Sequence, residues 1–109
     1  MKLIGNQPIQ IIQGDTKDYK IKFENDINDL IDRIVITSEN LNIEENLVFD
    51  EKEKFWAYKF KSNETNIAPS DFYSYDITVF FKDGDVTSET GIPLKIIDKK
   101  NPVENIYGE

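Results

Sequence analysis

The 109-residue chain contains neither histidine nor cysteine. Their absence removes serine–histidine triads, cysteine nucleophiles and the usual zinc sites from the catalytic possibilities. It also removes disulfide bonds as a source of stability, so the fold has to be held by packing. Carboxylate chemistry is what remains.

A long apolar run and an excess of basic charge are also missing. Twenty-one acidic and thirteen basic side chains give a formal net charge of −8. This charge repels a phosphate backbone, so we expect no direct nucleic-acid partner. We expect no membrane span either, and the segment Met1–Asn6 is too poor in apolar residues for a signal peptide, which indicates synthesis in a cytoplasm.

Neighbouring acidic residues are the main candidates for chemistry. Glu44 with Glu45, or Asp83 with Asp85, could act as a glycosidase pair or bind calcium. Such neighbours arise by chance among 21 acids, and the spacing after Asp83 lacks the full EF-hand pattern. We therefore predict solvated turns, no metal or other cofactor, and no enzymatic activity.

Alternation of apolar and polar residues dominates the chain and predicts β-strands. It is clearest around Tyr19–Phe23, Trp56–Phe60 and Tyr73–Phe81. Weaker candidates are Pro8–Gln13, Arg33–Ser38, Asn42–Phe49 and Val86–Ile97, the last bent around Gly91 and Pro93. The pattern predicts one all-β domain over residues 1–97, an antiparallel β-sandwich of about seven strands.

Turn residues separate these segments. Asp83-Gly84 is the strongest hairpin signal, and Ser62–Glu64 also indicates a turn. In the segment Gln13–Thr16, we expect Gly14 to adopt a positive φ, with Asp15 and Thr16 capping the free backbone N–H groups.

Two segments favour short helical turns. Ile27, Leu30, Ile31 and Ile34 have helical spacing after Asp26, a possible N-cap, which predicts one helical turn that serves as a connector. The segment Ile67–Phe72 has the composition of a 3₁₀ turn, with both of its terminal residues packed in the core.

A set of short motifs resembles a known family. The motifs are Gln13-Gly14-Asp15-Thr16, Asp29-Leu30, Tyr73-x-Tyr75-Asp76-Ile77, Val86-Thr87 and Gly91-x-x-Leu94-x-Ile96. In them, over about residues 9–97, the chain resembles the N-terminal immunoglobulin-like domain of siphophage baseplate upper proteins and related phage structural modules. Phe72 departs from the pattern, because relatives often carry a glycine there. The resemblance implies an immunoglobulin-like attachment module without the host-recognition part.

Tyr73 and Tyr75 have two interpretations. Tyr73, two residues before a buried Tyr75, resembles the tyrosine corner of immunoglobulin-like sandwiches, whose hydroxyl would bond to the backbone of residues 67–71. Alternatively, both tyrosines are ordinary alternating core residues. Neither interpretation changes the predicted function.

Exposed apolar side chains are the candidates for a partner interface. Alternation assigns Trp56 and Tyr58 to the core. The remaining candidates are Phe55 and Phe80, together with Val103, Ile106 and Tyr107 in a tail of residues 98–109. Phe80 either packs under a loop or meets another chain, and we expect the tail to become ordered only on assembly.

The resemblance implies a structural protein of a phage or prophage virion, made in the bacterial host cytoplasm, and the missing histidine and cysteine favour a non-enzymatic role. It would act in tail or baseplate attachment, with other virion proteins as partners and several copies, or a homo-oligomer, in the particle. A capsid decoration or head-surface protein and a small carbohydrate-binding module are the alternatives, because the fold by itself does not choose among functions.

Overall fold

The computed structural model describes residues 3–4, 9–66 and 71–97. Its strands are β1 (Leu3–Ile4), β2 (Ile9–Ile12), β3 (Lys17–Phe23), β4 (Ile31–Ser38), β5 (Ile43–Asn46), β6 (Val48–Asp50), β7 (Phe55–Phe60), β8 (Asp71–Phe81) and β9 (Val86–Ile97). A 3₁₀ turn, Asn28–Leu30, precedes β4, and a one-turn helix α1, Ser62–Asn66, follows β7. The tail of residues 98–109 lies outside the described residues.

Two sheets pack face to face, which confirms the predicted all-β sandwich. One has the strand order β1-β3-β7-β6, and the other β2-β9-β8-β4-β5. The prediction of a purely antiparallel sandwich was wrong in one pair, because β2 runs parallel to β9 from Ile9 opposite Leu94 to Ile12 opposite Ile97. A parallel pair needs a long connection. Here the whole domain between β2 and β9 supplies it, so no crossover helix is required.

The single strand predicted over Asn42–Phe49 is two strands in two different sheets. β5 pairs with β4, and β6 pairs with β7. Leu47, 5% exposed, lies between them, and its backbone N–H donates to the carbonyl of Ile34 at 2.8 Å. The chain therefore crosses from one sheet to the other at Leu47, which together with β1 raises the strand count of the described residues from about seven to nine.

The core follows the predicted alternation. Buried side chains from both sheets include Tyr19, Ile21, Trp56, Tyr58, Phe60, Tyr75, Ile77, Val79, Leu94 and Ile96. The rings of Tyr19 and Tyr75 meet edge to face across the sandwich, with centroids 5.3 Å apart. Each large side chain buried in this way contributes about 1.5–3 kcal/mol of hydrophobic stabilisation. Packing of buried aromatic and aliphatic side chains therefore stabilises a chain that has no cysteine for disulfide bonds.

The helical turn before β4 was predicted only in part. The 3₁₀ turn is present, but its N-cap is Ile27, although Asp26 Oδ1 still accepts a bond from the Asn28 backbone N–H at 3.3 Å. Leu30 is 59% exposed. Ile31 and Ile34 belong to β4, so their helical spacing arose from a strand with a register shift after Ile31.

The prediction that Phe72 packs in the core was wrong. Phe72 is 69% exposed, and Lys95 Nζ lies 4.9 Å from its ring centroid. It belongs to β8 rather than to a turn, and alternation with the buried Tyr75 places it on the outer face of the sheet. Residues 67–70, where the 3₁₀ turn and the acceptor of the tyrosine corner were predicted, lie outside the described residues. Tyr73 is half-buried against the core.

The turn at Gly14 is held by α1, not by Asp15 and Thr16 as predicted. Gly14 has a φ of 86°. Its backbone N–H donates to Thr65 Oγ1 at 3.0 Å, and the Thr65 hydroxyl donates to the carbonyl of Asp15 at 2.9 Å. Ser62 Oγ donates to the carbonyl of Gly14 at 2.6 Å. The sequence indicated only a turn at Ser62–Glu64, whereas that segment begins a helix that joins the β7–β8 connection to the β2–β3 connection.

Candidate protein interaction site

The structure separates the two predicted interface aromatics that it describes. Phe55 opens β7 in the four-stranded sheet, and Phe80 lies near the end of β8 in the five-stranded sheet. Both are half-buried. The other three predicted residues, Val103, Ile106 and Tyr107, lie outside the described residues. The predicted residues that can be located therefore do not form one site.

Each of these two rings has a cation above it. Lys20 Nζ lies 4.7 Å from the ring centroid of Phe55, and Arg33 Cζ lies 3.9 Å from that of Phe80. Cation–π contacts of this kind contribute about 0.5–1 kcal/mol at exposed sites. Because sugars stack on an open ring face, Arg33 would have to move before Phe80 could bind a glycan.

A shallow groove of about 370 Å³ lies beside Phe80 on the outer face of β5, β4 and β8. Arg33, Glu44, Glu45 and Asn46 are among the residues that line it. Most of its lining residues are polar or charged, and the groove is open to solvent. Glu44 and Glu45 lie in strand β5, so the solvated turn predicted for them was wrong, although both are exposed. No group of three or more histidine, cysteine or acidic residues is arranged to hold a metal ion in the part of the chain that the structure describes.

The Asp83–Asp85 segment forms the hairpin turn predicted for it. Gly84 has a φ of 98°, and its N–H donates to the carbonyl of Phe81 at 3.0 Å. Asp83 Oδ1 accepts a bond from the Asp85 backbone N–H at 2.9 Å. The Asp83 carboxylate is therefore engaged in local turn geometry.

Among the described residues, no strand pairs with the first half of β9 on the side away from β8, so this segment is a sheet edge that sequence reasoning missed. Residues 86–91 are all exposed, and Val86–Glu89 pair with β8 on one side. β2 covers the other side of β9 only from Leu94 to Ile97. A bulge at Gly91, whose N–H donates to Asp76 Oδ1 at 2.8 Å, separates the two halves. Apart from Glu89, the edge 86–90 has no charge and no proline, the devices that usually protect an exposed edge.

Three buried tyrosines have raised pKa values, and all three belong to the hydrophobic core. Tyr58 donates to Glu64 Oε1 and Oε2 at 2.8 and 2.7 Å, and burial together with this bond raises the pKa of Tyr58. Burial, followed by its hydrogen bond with Tyr75, raises the pKa of Tyr19, and burial raises the pKa of Tyr75 to about 12. All three are neutral hydrogen-bonding groups near pH 7.

Comparison with known proteins shows the fold. No known protein family and no curated protein matches the chain. The fibronectin(III)-like modules of Clostridium thermocellum CbhA match with a TM-score of 0.55 at 9% identity, over 84% of this chain and 42% of that structure. The chain has a fibronectin(III)-like, immunoglobulin-type fold. At this identity the likeness concerns the fold alone, and the chain spans well under half of the matched structure.

None of the helices in the described residues is both long and apolar enough to cross a membrane.

Proposed function

We propose that this chain is a non-catalytic structural module of a phage or prophage virion that attaches tail or baseplate components to one another. The motifs at Gln13–Thr16, Tyr73–Ile77 and Gly91–Ile96 support the phage assignment through their resemblance to baseplate modules. The absence of histidine and cysteine supports binding over turnover. Other virion proteins are its partners, and the host cytoplasm is where it is made.

The uncovered edge of β9 carries the proposal. In the part of the chain that the structure describes, Val86–Ser88 pair with β8 on one side and with no strand on the other, so their outward backbone N–H and C=O groups can accept a further strand. A strand from a neighbouring subunit can complete those hydrogen bonds, and alternate side chains then supply specificity. Multiple copies in a particle repeat a contact of this kind by symmetry.

Purified particles provide the first test. Antibodies raised against the chain, viewed by electron microscopy, should label the tail tip or baseplate. Labelling of the head would instead support a capsid decoration protein, the alternative that shares this fold. Absence of the chain from purified particles would contradict both assignments.

A charge placed on the β9 edge tests the contact. Ser88→Lys should lower incorporation into particles about tenfold, because a lysine on an edge strand opposes pairing with a further strand. Asn46→Lys is the matched control, because it adds the same charge to an exposed residue of the edge strand β5. Equal incorporation of the two variants would remove the β9 edge from the contact.

The carbohydrate-binding alternative has its own readout. A glycan array probed with the chain, and with Phe55→Ser and Phe80→Ser variants, should give no hits. A hit that either substitution abolishes would favour that alternative over attachment.

A further inference from the structure

A second surface lies at the end of the sandwich where the hairpin turn Lys82–Asp85 meets the 3₁₀ turn. A pocket of about 360 Å³ there is lined by Leu30 and Phe81 and by the polar residues Asp29, Lys82, Asp83 and Asp85. This volume lies near the lower limit for ligand pockets, about 300 Å³, and suits one or two amino-acid side chains. Leu30 projects into solvent with 59% of its surface exposed.

The walls of the pocket are fixed by backbone hydrogen bonds. The Lys82 N–H donates to the carbonyl of Leu30 at 2.9 Å, which joins the two turns. The Phe81 N–H donates to the carbonyl of Asp85, also at 2.9 Å, and Phe81 packs against the core. A preformed pocket of this kind loses little conformational entropy when it is filled.

The charge at this end of the molecule defines the occupant. The connections here, residues 24–30, 50–54 and 82–85, contain eight carboxylates and three lysines. The connections at the opposite end, residues 13–16, 39–42 and 61–66, contain three carboxylates and one lysine. Three of the carboxylates, Asp29, Asp83 and Asp85, line the apolar pocket itself. The connections at the end of the pocket therefore carry a net charge of −5, against −2 for the described connections at the opposite end.

We infer that this pocket docks a basic polypeptide segment that inserts one apolar side chain between Leu30 and Phe81. Lysine or arginine residues that flank the inserted side chain would pair with Asp29, Asp83 and Asp85. The apolar contact would fix the position of the segment, and the charge pairs would orient it and raise its association rate. The pocket would bind such a segment whether or not the chain is a virion protein, and none of its lining residues belongs to the β9 edge, which begins at the next residue, Val86.

Nuclear magnetic resonance titration of the ¹⁵N-labelled 109-residue chain tests this site. The probe is a blocked peptide of alternating lysine and leucine, and the two comparison peptides carry serine for leucine or glutamate for lysine. The lysine–leucine peptide should shift the amides of Leu30 and of residues 81–85 saturably at low salt. Raising the salt to about 0.5 M should weaken binding, because the Debye length falls below about 5 Å. The other two peptides should bind at least about fivefold more weakly.

Matched variants localise the interaction. Asp83→Asn removes a charge but keeps an oxygen that can accept the Asp85 N–H, so the turn should survive. It should weaken binding about two- to fivefold, as expected for one exposed charge pair. Glu39→Gln removes the same charge at the opposite end and should leave binding unchanged. Leu30→Ser should weaken binding about fivefold or more without unfolding an exposed position.

Three outcomes would overturn the inference. One is no saturable shift at millimolar peptide. Another is an equal loss of affinity in Asp83→Asn and Glu39→Gln. The third is equal binding of the glutamate peptide. None of these outcomes concerns incorporation into particles, so failure of the pocket and failure of the attachment function are distinguishable.

Discussion

Thr65 Oγ1 lies 3.0 Å from the backbone nitrogen of Gly14, 51 residues earlier in the chain. The same hydroxyl donates to the carbonyl of Asp15, and the Thr65 side chain is fully buried. Every buried side-chain nitrogen or oxygen among the described residues has a hydrogen-bond partner. Helix α1 lies in the connection that follows β7 and leads to the other sheet. Through Thr65, this helix is bonded to the turn between β2 and β3.

Thr65→Val should lower the free energy of unfolding by about 1–3 kcal/mol. Valine keeps the shape of the side chain but leaves the Gly14 N–H and the Asp15 carbonyl without their partner. Urea denaturation followed by circular dichroism measures the change. Thr65→Ser retains the hydroxyl and should cost less. A valine variant as stable as the serine variant would show that the hydroxyl contributes nothing.

Gly14→Ala should cost about 1–2 kcal/mol. The φ of 86° disfavours any residue with a Cβ, and the added Cβ would lie 3.2 Å from Asn66 Oδ1. Gly84→Ala is the control, because its φ of 98° imposes similar strain while no atom lies within 4 Å of the new Cβ. Thermal unfolding should rank Gly14→Ala as the less stable of the two. The reverse order would mean that Asn66 moves aside without cost.

Phe60→Ala should destabilise the fold far more than Phe80→Ala. Phe60 is fully buried and meets the Tyr58 ring edge to face, so its loss leaves a cavity and should cost about 3–5 kcal/mol. Phe80 is half-buried beneath Arg33, and its loss should cost about 1 kcal/mol. Denaturant midpoints measure both. Comparable losses would place Phe80 in the core instead of on the surface.

Stability should fall as the pH rises above 10. The unfolded chain releases the Tyr75 proton near pH 10, whereas the folded chain keeps it until about pH 12, so the stabilisation present below pH 10 is lost across this interval. Each such tyrosine contributes a slope of about 1.4 kcal/mol per pH unit. Tyr75→Phe should show a shallower decline between pH 10 and 11.5 in urea denaturation. Identical slopes would contradict the raised pKa of Tyr75.

Much of the architecture was predictable from local pattern. Tyr19–Phe23 and Trp56–Phe60 alternate because successive side chains of a strand face opposite ways, and burial of one face selects apolar residues there. Asp83-Gly84 identified the β8–β9 hairpin because Gly84 needs a positive φ. Such signals depend on neighbours within a few positions.

The candidate sites were much less predictable. The sequence pattern indicates that Phe55 and Phe80 are exposed, but it does not show that they lie in different sheets, because that depends on the strand order. Neither the β9 edge nor the pocket at Leu30 and Phe81 has a sequence signature, because each depends on how distant described segments are arranged in space. The prediction for Phe72 was wrong for a different reason: the segment was predicted as a turn, whereas β8 begins at Asp71 and alternation with Tyr75 places Phe72 on the outer face.

The sequence by itself determined that this protein is an all-β domain without histidine or cysteine chemistry. Composition excludes that chemistry, and the alternation of apolar and polar residues that indicates strands is a local pattern. Only the tertiary structure decided that β2 lies parallel to β9, that Leu47 carries the chain between sheets and that Thr65 secures the turn at Gly14. These contacts join residues far apart in the chain. Such contacts form only when distant segments are brought together by the fold as a whole, so no local sequence pattern predicts them.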